Sequence, residues 1–319
     1  MEQKRTYIAV DLGGTKLLLG EIDRQGNVLR TKRWPTGALT QSRALELIES
    51  ALDEFLGEES PEHRPLAIGL GLVGRIDGKT GRWLEIDHDR KEEIPLGEIL
   101  ETRYHLPCFA DNDVRSATKA EMLFGRGRNT RHLIYINVGT GIAAGFVTDG
   151  KLIRGGNCNA GEVGHTASGI DFHAPCACGR PDCVEPVASG LGFDTSARIL
   201  AKRYPDTKLS IPEGARISAA DVFALYDTDE MCCVLVDNAA QALANLIMNL
   251  TRVTDPETVV LGGGVMSGGF LYEKILPRLN AHTMRFVTGG VVRTTLDPRY
   301  IGLLGAGSNA IYGLEEEKE

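Results

Sequence analysis

The chain has 319 residues, 42% of them hydrophobic and 24% charged, which excludes a disordered, collagen-like or coiled-coil protein and leaves room for two domains of ordinary size. Lys and Arg total 35 against 43 Asp and Glu, a formal charge of −8 that argues against nonspecific binding to nucleic acid or an anionic membrane. The N-terminus lacks a signal-peptide core, no apolar run approaches the roughly 18 residues of a membrane span, and the seven cysteines are expected as metal ligands or free thiols of a cytoplasmic protein.

Residues 7–10 read as a buried strand, followed by a glycine turn at 11–16, a second strand at 17–23 and a third at 28–33. Leu45, Ile48, Leu52, Phe55 and Leu56 recur at three-and-four spacing, so 42–56 is expected as an amphipathic helix on that sheet. A strand at 66–70, a helix at 96–104, a short strand at 108–110 and a helix at 114–124 follow. Residues 132–138 and 142–148 form a second strand pair around Gly139-Thr140-Gly141. Shifted by 126 residues, Asp11 falls on Asn137, Gly13 on Gly139 and Asp23 on Asp149, so the chain reads as internally duplicated. A helix at 237–250, a strand at 258–261, the turn Gly262-Gly263-Gly264, a helix at 270–279 and a charged end at 315–319 complete the pattern. The expected division is a small α/β domain at 1–115 and a larger one at 116–302, with a last helix at about 303–319 returning to the first.

Asp11, Gly13, Gly14, Thr15 and Lys16 place open backbone amides, a hydroxyl and an ammonium beside a carboxylate. Amides and Lys16 suit a phosphate, and Asp11 suits a hydrated Mg²⁺; the same residues also suit an ordinary hairpin turn. It is not a Walker A loop, because GxxxxGK[ST] is absent. Gly139, Thr140 and Gly141 offer a second set of amides, and two such turns facing each other across a cleft would clamp a nucleotide. Gly262, Gly263 and Gly264 permit the close approach that an adenosine site requires. The run from Gly69 to Gly74 matches GxGxxG, but residues 75–81 form turns where a dinucleotide site needs a helix.

His165, Cys176, Cys178 and Cys183 have the donor set of a closed tetrahedral Zn²⁺ site, which would be structural, with His173 as an alternative fourth ligand. Cys108, Cys158, Cys232 and Cys233 lack comparable partners. In Asp111-Asn112-Asp113, between a strand and a helix, a carboxylate would suit either a general base or a helix cap.

Taken together, DLGGTK at 11–16, Asn112-Asp113, GTG at 139–141, AGEVGH at 160–165, the C-x-C-x4-C-x-E run ending at Glu185 and LGGG at 261–264 resemble the ROK family of sugar kinases and repressors. The resemblance implies an actin-like, hexokinase-like duplicated α/β fold, two domains around a cleft holding ATP and a sugar, and a homodimer. It carries the catalytic base to Asp113, and sugar binding to Asn112, Glu162, His165 and Glu185. Arg75 is similar to an arginine of N-acetylmannosamine kinase members, which implies that it too is a substrate-binding residue. The chain departs from the glucose-type pattern at Arg115, where an asparagine is usual, at Ala143-Ala144, and at 86–91, which stands in place of a glucokinase loop, so a sugar other than glucose is open. A sugar-sensing regulator and an inactive sugar-binding relative are the competing expectations. The acidic balance and the position of Asp11, leaving no room for a preceding helix-turn-helix, favour the kinase.

Overall fold

In the computed structural model, residues 3–37, 40–58, 62–86, 92–172 and 174–316 are described. His173, segment 87–91 and the last three residues of the charged end lie outside them.

The chain divides into two compact units. The first comprises Met1–Arg128, Arg154–Ala160 and Arg299–Glu319. Its strands are β1 (Lys4–Leu12), β2 (Lys16–Ile22), β3 (Val28–Pro35), β4 (His63–Leu72), the small hairpin β5 (Arg75–Asp77) and β6 (Arg82–Glu85), and β7 (Cys108–Asn112). Five of these form a sheet in the order β3-β2-β1-β4-β7, an antiparallel meander joined through β1 to two parallel strands. The central strands read as continuous apolar runs because both faces are covered. On one face Ile8, Val10, Leu12, Ile68 and Leu70 share a core with Ala44, Ile48, Leu52 and Phe55 of α1 (Gln41–Gly57) and with Leu96 and Leu100 of α2 (Leu96–Tyr104). On the other lie α3 (Asp113–Phe124) and the C-terminal helix Ile301–Glu316, whose Gly-Ala-Gly-Ser run lets it approach closely. A methyl group on Gly69 would overlap the carbonyl of Ala306, and one on Gly307 would overlap Ile22.

The second unit comprises Asn129–Ile153 and Gly161–Pro298. Its sheet of β8 (Leu133–Val138), β9 (Ile142–Thr148), β10 (Lys151–Leu152), β11 (Thr258–Gly262) and β12 (Gly290–Arg293) has the order β10-β9-β8-β11-β12. Pairing is antiparallel from β10 to β8 and parallel from β8 to β12, which repeats the plan of the first sheet. Shifted by 126 residues, β2 lands on the bounds of β9. The helices are α4 (Glu185–Ala188), α5 (Gly190–Leu200), α6 (Ala219–Ala224), α7 (Glu230–Thr254), α8 (Phe270–Ile275) and α9 (Ala281–Met284). Among the described residues α7 is the one helix long and apolar enough to cross a membrane, but 61% of its most apolar window is buried within the structure, as in a core helix.

Three expectations shift. The boundary expected at 115/116 would cut α3, which packs against the C-terminal helix and stays with the first unit, so the division falls after Arg128. The turn-rich stretch after Gly74 is a β-hairpin, because Ile76 and Trp83 are both fully buried and pair across it. The helix from Phe270 yields to a 3-10 turn at Leu276–Arg278, where Pro277 has no amide hydrogen to continue the ladder.

The glycines of the GxGxxG run are therefore packing residues. Gly69→Ala is expected to cost about 1–3 kcal/mol in urea unfolding, the range for overpacking a filled interface. Gly14→Ala, with nothing within 4 Å of the added methyl, is expected to leave the unfolding midpoint unchanged.

Candidate active site

In the first unit the glycine turn joins β1 to β2. The Gly13 amide donates to the Lys16 carbonyl (3.0 Å), and Gly14 and Thr15 lie exposed at the tip. Asp11, at the base of the turn, is largely buried. A methyl on Gly302, in the first turn of the C-terminal helix, would overlap its carboxylate. Burial, then repulsion from Asp113, raise the Asp11 pKa to about 6 against the attraction of Lys16. A buried carboxylate next to a second carboxylate has the electrostatics of a cation site.

At the same end of the sheet, two strands across from β1, β7 runs into α3. Asn112 is the helix cap: its Oδ1 accepts from the amides of Val114 (3.0 Å) and Arg115 (3.3 Å), and its Nδ2 donates to the Gly74 carbonyl (3.0 Å). Asp113 is the first residue of the helix, and its Oδ1 accepts from the Val114 amide at 2.9 Å. The Asn112 cap and the Gly74 bond fix the strand-to-helix corner that presents Asp113.

Asp111 lies beneath this corner with no exposed surface. Arg115 Nε is 2.6 Å from its Oδ1, while Lys119 Nζ (3.2 Å) and Arg154 Nε (3.4 Å) reach Oδ2. Burial favours the neutral acid, but Lys119, Arg115 and Arg154 outweigh it and hold the pKa at about 2. Arg115 is itself buried, 3% exposed, and its remaining nitrogens donate to the carbonyls of Cys158 (3.0 Å) and Ile76 (2.9 Å). Arg75, on β5, forms a two-bond pair with Glu85 (2.9 and 3.1 Å) and donates to the Asn157 carbonyl at 3.2 Å.

The second unit repeats the glycine turn after its own first strand. The Gly139 amide donates to Gly141 (2.9 Å), and the carbonyls of Gly139 and Thr140 accept from Gly190 and Leu191 at the start of α5. Glu185 Oε2 accepts from the Ile142 amide (2.9 Å), and an added methyl on Gly141 would come within 2.5 Å of that oxygen. The third glycine turn follows β11 in this unit. Gly263 has φ +93° and packs on the Val138 carbonyl, where a side chain has no room, and Gly264 faces open space. Glu162 is exposed at the start of the short 3-10 turn Val163–His165.

His165, Cys176, Cys178 and Cys183 come together with their ligand atoms all within 4.8 Å of one another. Cys176 Sγ is 3.3 Å from His165 Nδ1 and Cys178 Sγ is 3.4 Å from Cys183 Sγ. Ligands about 2.0–2.3 Å from a tetrahedral ion stand at such separations, so the donor set fits zinc. The loop is tied at its ends by the Val184 amide on the Thr166 carbonyl (3.0 Å) and the Ser168 amide on Asp182 (2.8 Å), which places Glu185 directly after it.

The first unit thus brings together Asp11, Lys16, Asn112 and Asp113, and the second brings Gly139–Gly141, Gly263, His165, the three cysteines and Glu185. Sequence reasoning overlooked the Asp111 cluster. Its signal was the spacing of Arg115 and Lys119, four residues apart and hence on one face of the helix that follows Asp111. Arg154 and Gly302, distant in sequence, left no such signal.

One sheet plan used twice, with a glycine turn after the first strand of each copy, defines the actin-like, hexokinase-like class of α/β proteins. The chain belongs to the ROK family, whose family model matches residues 7–307. It is 31% identical over 314 residues to a glucokinase of Halalkalibacterium halodurans, covering 95% of this chain and 94% of that protein. It is 32% identical over 273 residues to an N-acetylmannosamine kinase of Salmonella typhi, covering 84% and 86%. A Streptomyces griseus ROK glucokinase, solved in complex with glucose and AMPPNP, superimposes with a TM-score of 0.74 at 27% identity over 95% of this chain and 98% of that one.

The raised pKa of Asp11 has a definite sign. The native state favours the protonated acid, so its contribution to stability is present below pH 4 and lost as pH rises through about 6. In metal-free buffer, Asp11→Asn is expected to match the parent near pH 4 and to exceed it by on the order of 2 kcal/mol at pH 7, read from urea midpoints.

Proposed function

We propose that the protein is an ATP-dependent sugar kinase that phosphorylates a hexose or N-acetylhexosamine at its 6-hydroxyl, with Asp113 as general base. The carrying observation is the division of labour at the β7–α3 corner. Asn112 caps the helix and Asp111 carries the buried ion cluster, while Asp113 opens α3, half-buried and within electrostatic reach of Asp11, at the position to which the family pattern carries the base. The kinship with glucokinases and N-acetylmannosamine kinases supports the same reading.

In this mechanism Asp113 takes the proton from the sugar hydroxyl as its oxygen attacks the γ-phosphorus. The bond from that phosphorus to the bridging oxygen breaks, and ADP leaves with the electron pair. The amides of Gly14 and Thr15, with Lys16, hold phosphate oxygens, and those of Thr140 and Gly141 supply further donors; Gly13 and Gly139, whose amides close the two turns, set their shape, and Gly262 to Gly264 admit the adenosine. Asp11 is the carboxylate that would hold hydrated Mg²⁺, which neutralises charge on the transferring phosphate. Its raised pKa supports this role, because a dication beside Asp11 and Asp113 removes the cost of ionising both.

Asn112, Glu162, His165 and Glu185 are the sugar partners in this reading. With Nδ1 of His165 turned to Cys176, its Nε2 is the nitrogen left for a hydroxyl. Zinc held by His165, Cys176, Cys178 and Cys183 would order the loop that presents His165 and Glu185, and a closed shell of four protein ligands gives it no open position for substrate.

The test is ADP release from MgATP across a panel of hexoses and N-acetylhexosamines. One sugar is expected to drive turnover, and Asp113→Asn to lower kcat by about 10²–10⁴-fold with an unchanged melting temperature. Absence of turnover with every sugar would refute the kinase. Metal analysis of the purified protein is expected to give one zinc per chain. Its loss in Cys178→Ser, with a lower melting temperature, would mark it as structural.

A further inference from the structure

The Asp111 cluster contains more positive charge than its carboxylate needs. Lys119 and Arg154 alone place two cations within 3.4 Å of Asp111 Oδ2. Adding Arg115 buries a third cation among like charges, which is unfavourable unless its geometry achieves something else. Its nitrogens are spent on three separate targets: Nε on Asp111, Nη2 on the Ile76 carbonyl of β5 and Nη1 on the Cys158 carbonyl. Lysine could neutralise Asp111, but its three donors share one nitrogen, whereas the planar fork of arginine carries donors on three nitrogens and so reaches three separated acceptors.

Cys158 lies in the segment 154–160, a closed loop. The Ala160 amide donates to the Arg154 carbonyl at 3.2 Å across its neck. Although residues 153 and 161 belong to the second unit, this loop belongs to the first. Four side chains of the first unit account for that. Arg75 takes the Asn157 carbonyl, Arg115 takes the adjacent Cys158 carbonyl, Asp111 pairs with Arg154, and Asp77 hydrogen-bonds the Cys158 side chain. Two consecutive carbonyls are thus each capped by a guanidinium, and both arginines are anchored by a carboxylate, Arg75 by Glu85 and Arg115 by Asp111. Cys158 has φ +56°, a conformation that a non-glycine residue holds only when its surroundings impose it. Immediately after the loop, Gly161, at φ +112°, is seated against Ala144 so closely that a methyl there would overlap its carbonyl, and Glu162 is the next residue.

We propose that Arg115 is a positioning residue for sugar recognition, acting with Arg75 as a clamp on the Asn157 and Cys158 carbonyls that fixes the loop delivering Glu162. Neither arginine touches the reacting atoms. Arg75, expected from resemblance as a direct substrate ligand, acts here through the loop. The role in recognition rests on the kinase reading, whereas the clamp itself does not.

The decisive variant is Arg115→Lys, which keeps the charge beside Asp111 and removes the bonds to Ile76 and Cys158; Arg75→Gln removes the bond to Asn157 by an independent route. Amide hydrogen exchange is followed by mass spectrometry over peptides spanning 154–165, and sugar and MgATP KM are measured separately. Both variants are expected to exchange about tenfold faster or more in this loop and to raise the sugar KM about tenfold or more, with MgATP KM within about twofold. Unchanged exchange overturns the clamp whether or not any sugar is turned over. Faster exchange with an unchanged sugar KM, or with both KM values rising together, overturns the positioning role. If the parent binds no sugar, the kinase reading fails and the recognition role with it, and the exchange result still decides the clamp.

Discussion

A carboxylate without solvent at the end of a parallel strand is the constraint on which the first unit is built. Asp111 has to be neutralised where it lies, and the chain supplies Arg115 and Lys119 from successive turns of the helix that follows and Arg154 from a loop distant in sequence. A buried charge so surrounded stabilises little on balance, but it tolerates few alternative arrangements, because without Asp111 its three cations would face one another in a low dielectric. That rigidity is inherited by the two residues that follow. Asn112 caps α3 and Asp113 opens it, so the corner bearing both is held from below by ions and from the side by Gly74 and Ile76.

Glycine serves two separable purposes here, which accounts for its abundance. At Gly69, Gly305 and Gly307 the missing side chain lets the C-terminal helix lie against the sheet and α3 at backbone distance. That packing brings Gly302, in the first turn of the helix, against the Asp11 carboxylate. In the glycine turns the missing side chain instead leaves the backbone uncovered at Gly14 and Gly264, where an added methyl would meet nothing, and at Gly263 it permits a φ that other residues avoid. One sheet plan, used twice, places such a turn after the first strand of each copy.

The Cys3His loop has a different logic. Its residues carry few apolar side chains, and several of its backbone bonds run between neighbouring turns, as from Cys176 to Arg180 and from Gly179 to Cys176. Four donors converging within 4.8 Å would let a bound ion supply the cross-linking that packing does not. The chain then leaves the loop at Cys183 and, two residues on, places the Glu185 carboxylate on the Ile142 amide beside the second glycine turn. Order in the metal loop and order at that turn are therefore mechanically connected.

Much of this was legible in the order of residues alone. Period-two and period-three-to-four patterns marked most strands and the longer helices, and a 126-residue offset revealed the duplication, because these signals arise from local geometry and from which face is buried. The four metal donors were legible because three of them lie within eight residues. The pattern missed α5, which begins in glycine, and the short α6 and β12, too brief to show a period. It also left the cap and the carboxylate of the buried ion cluster undivided among Asp111, Asn112 and Asp113, since all three suit a helix start. Sequence by itself determined the family, the duplicated sheets and the set of chemically able side chains, because these depend on residue type and spacing. Only the tertiary structure decided which aspartate is buried, that Arg115 belongs to it, and that Arg75 and Arg115 meet adjacent carbonyls of one loop, because those facts depend on contacts between segments tens of residues apart.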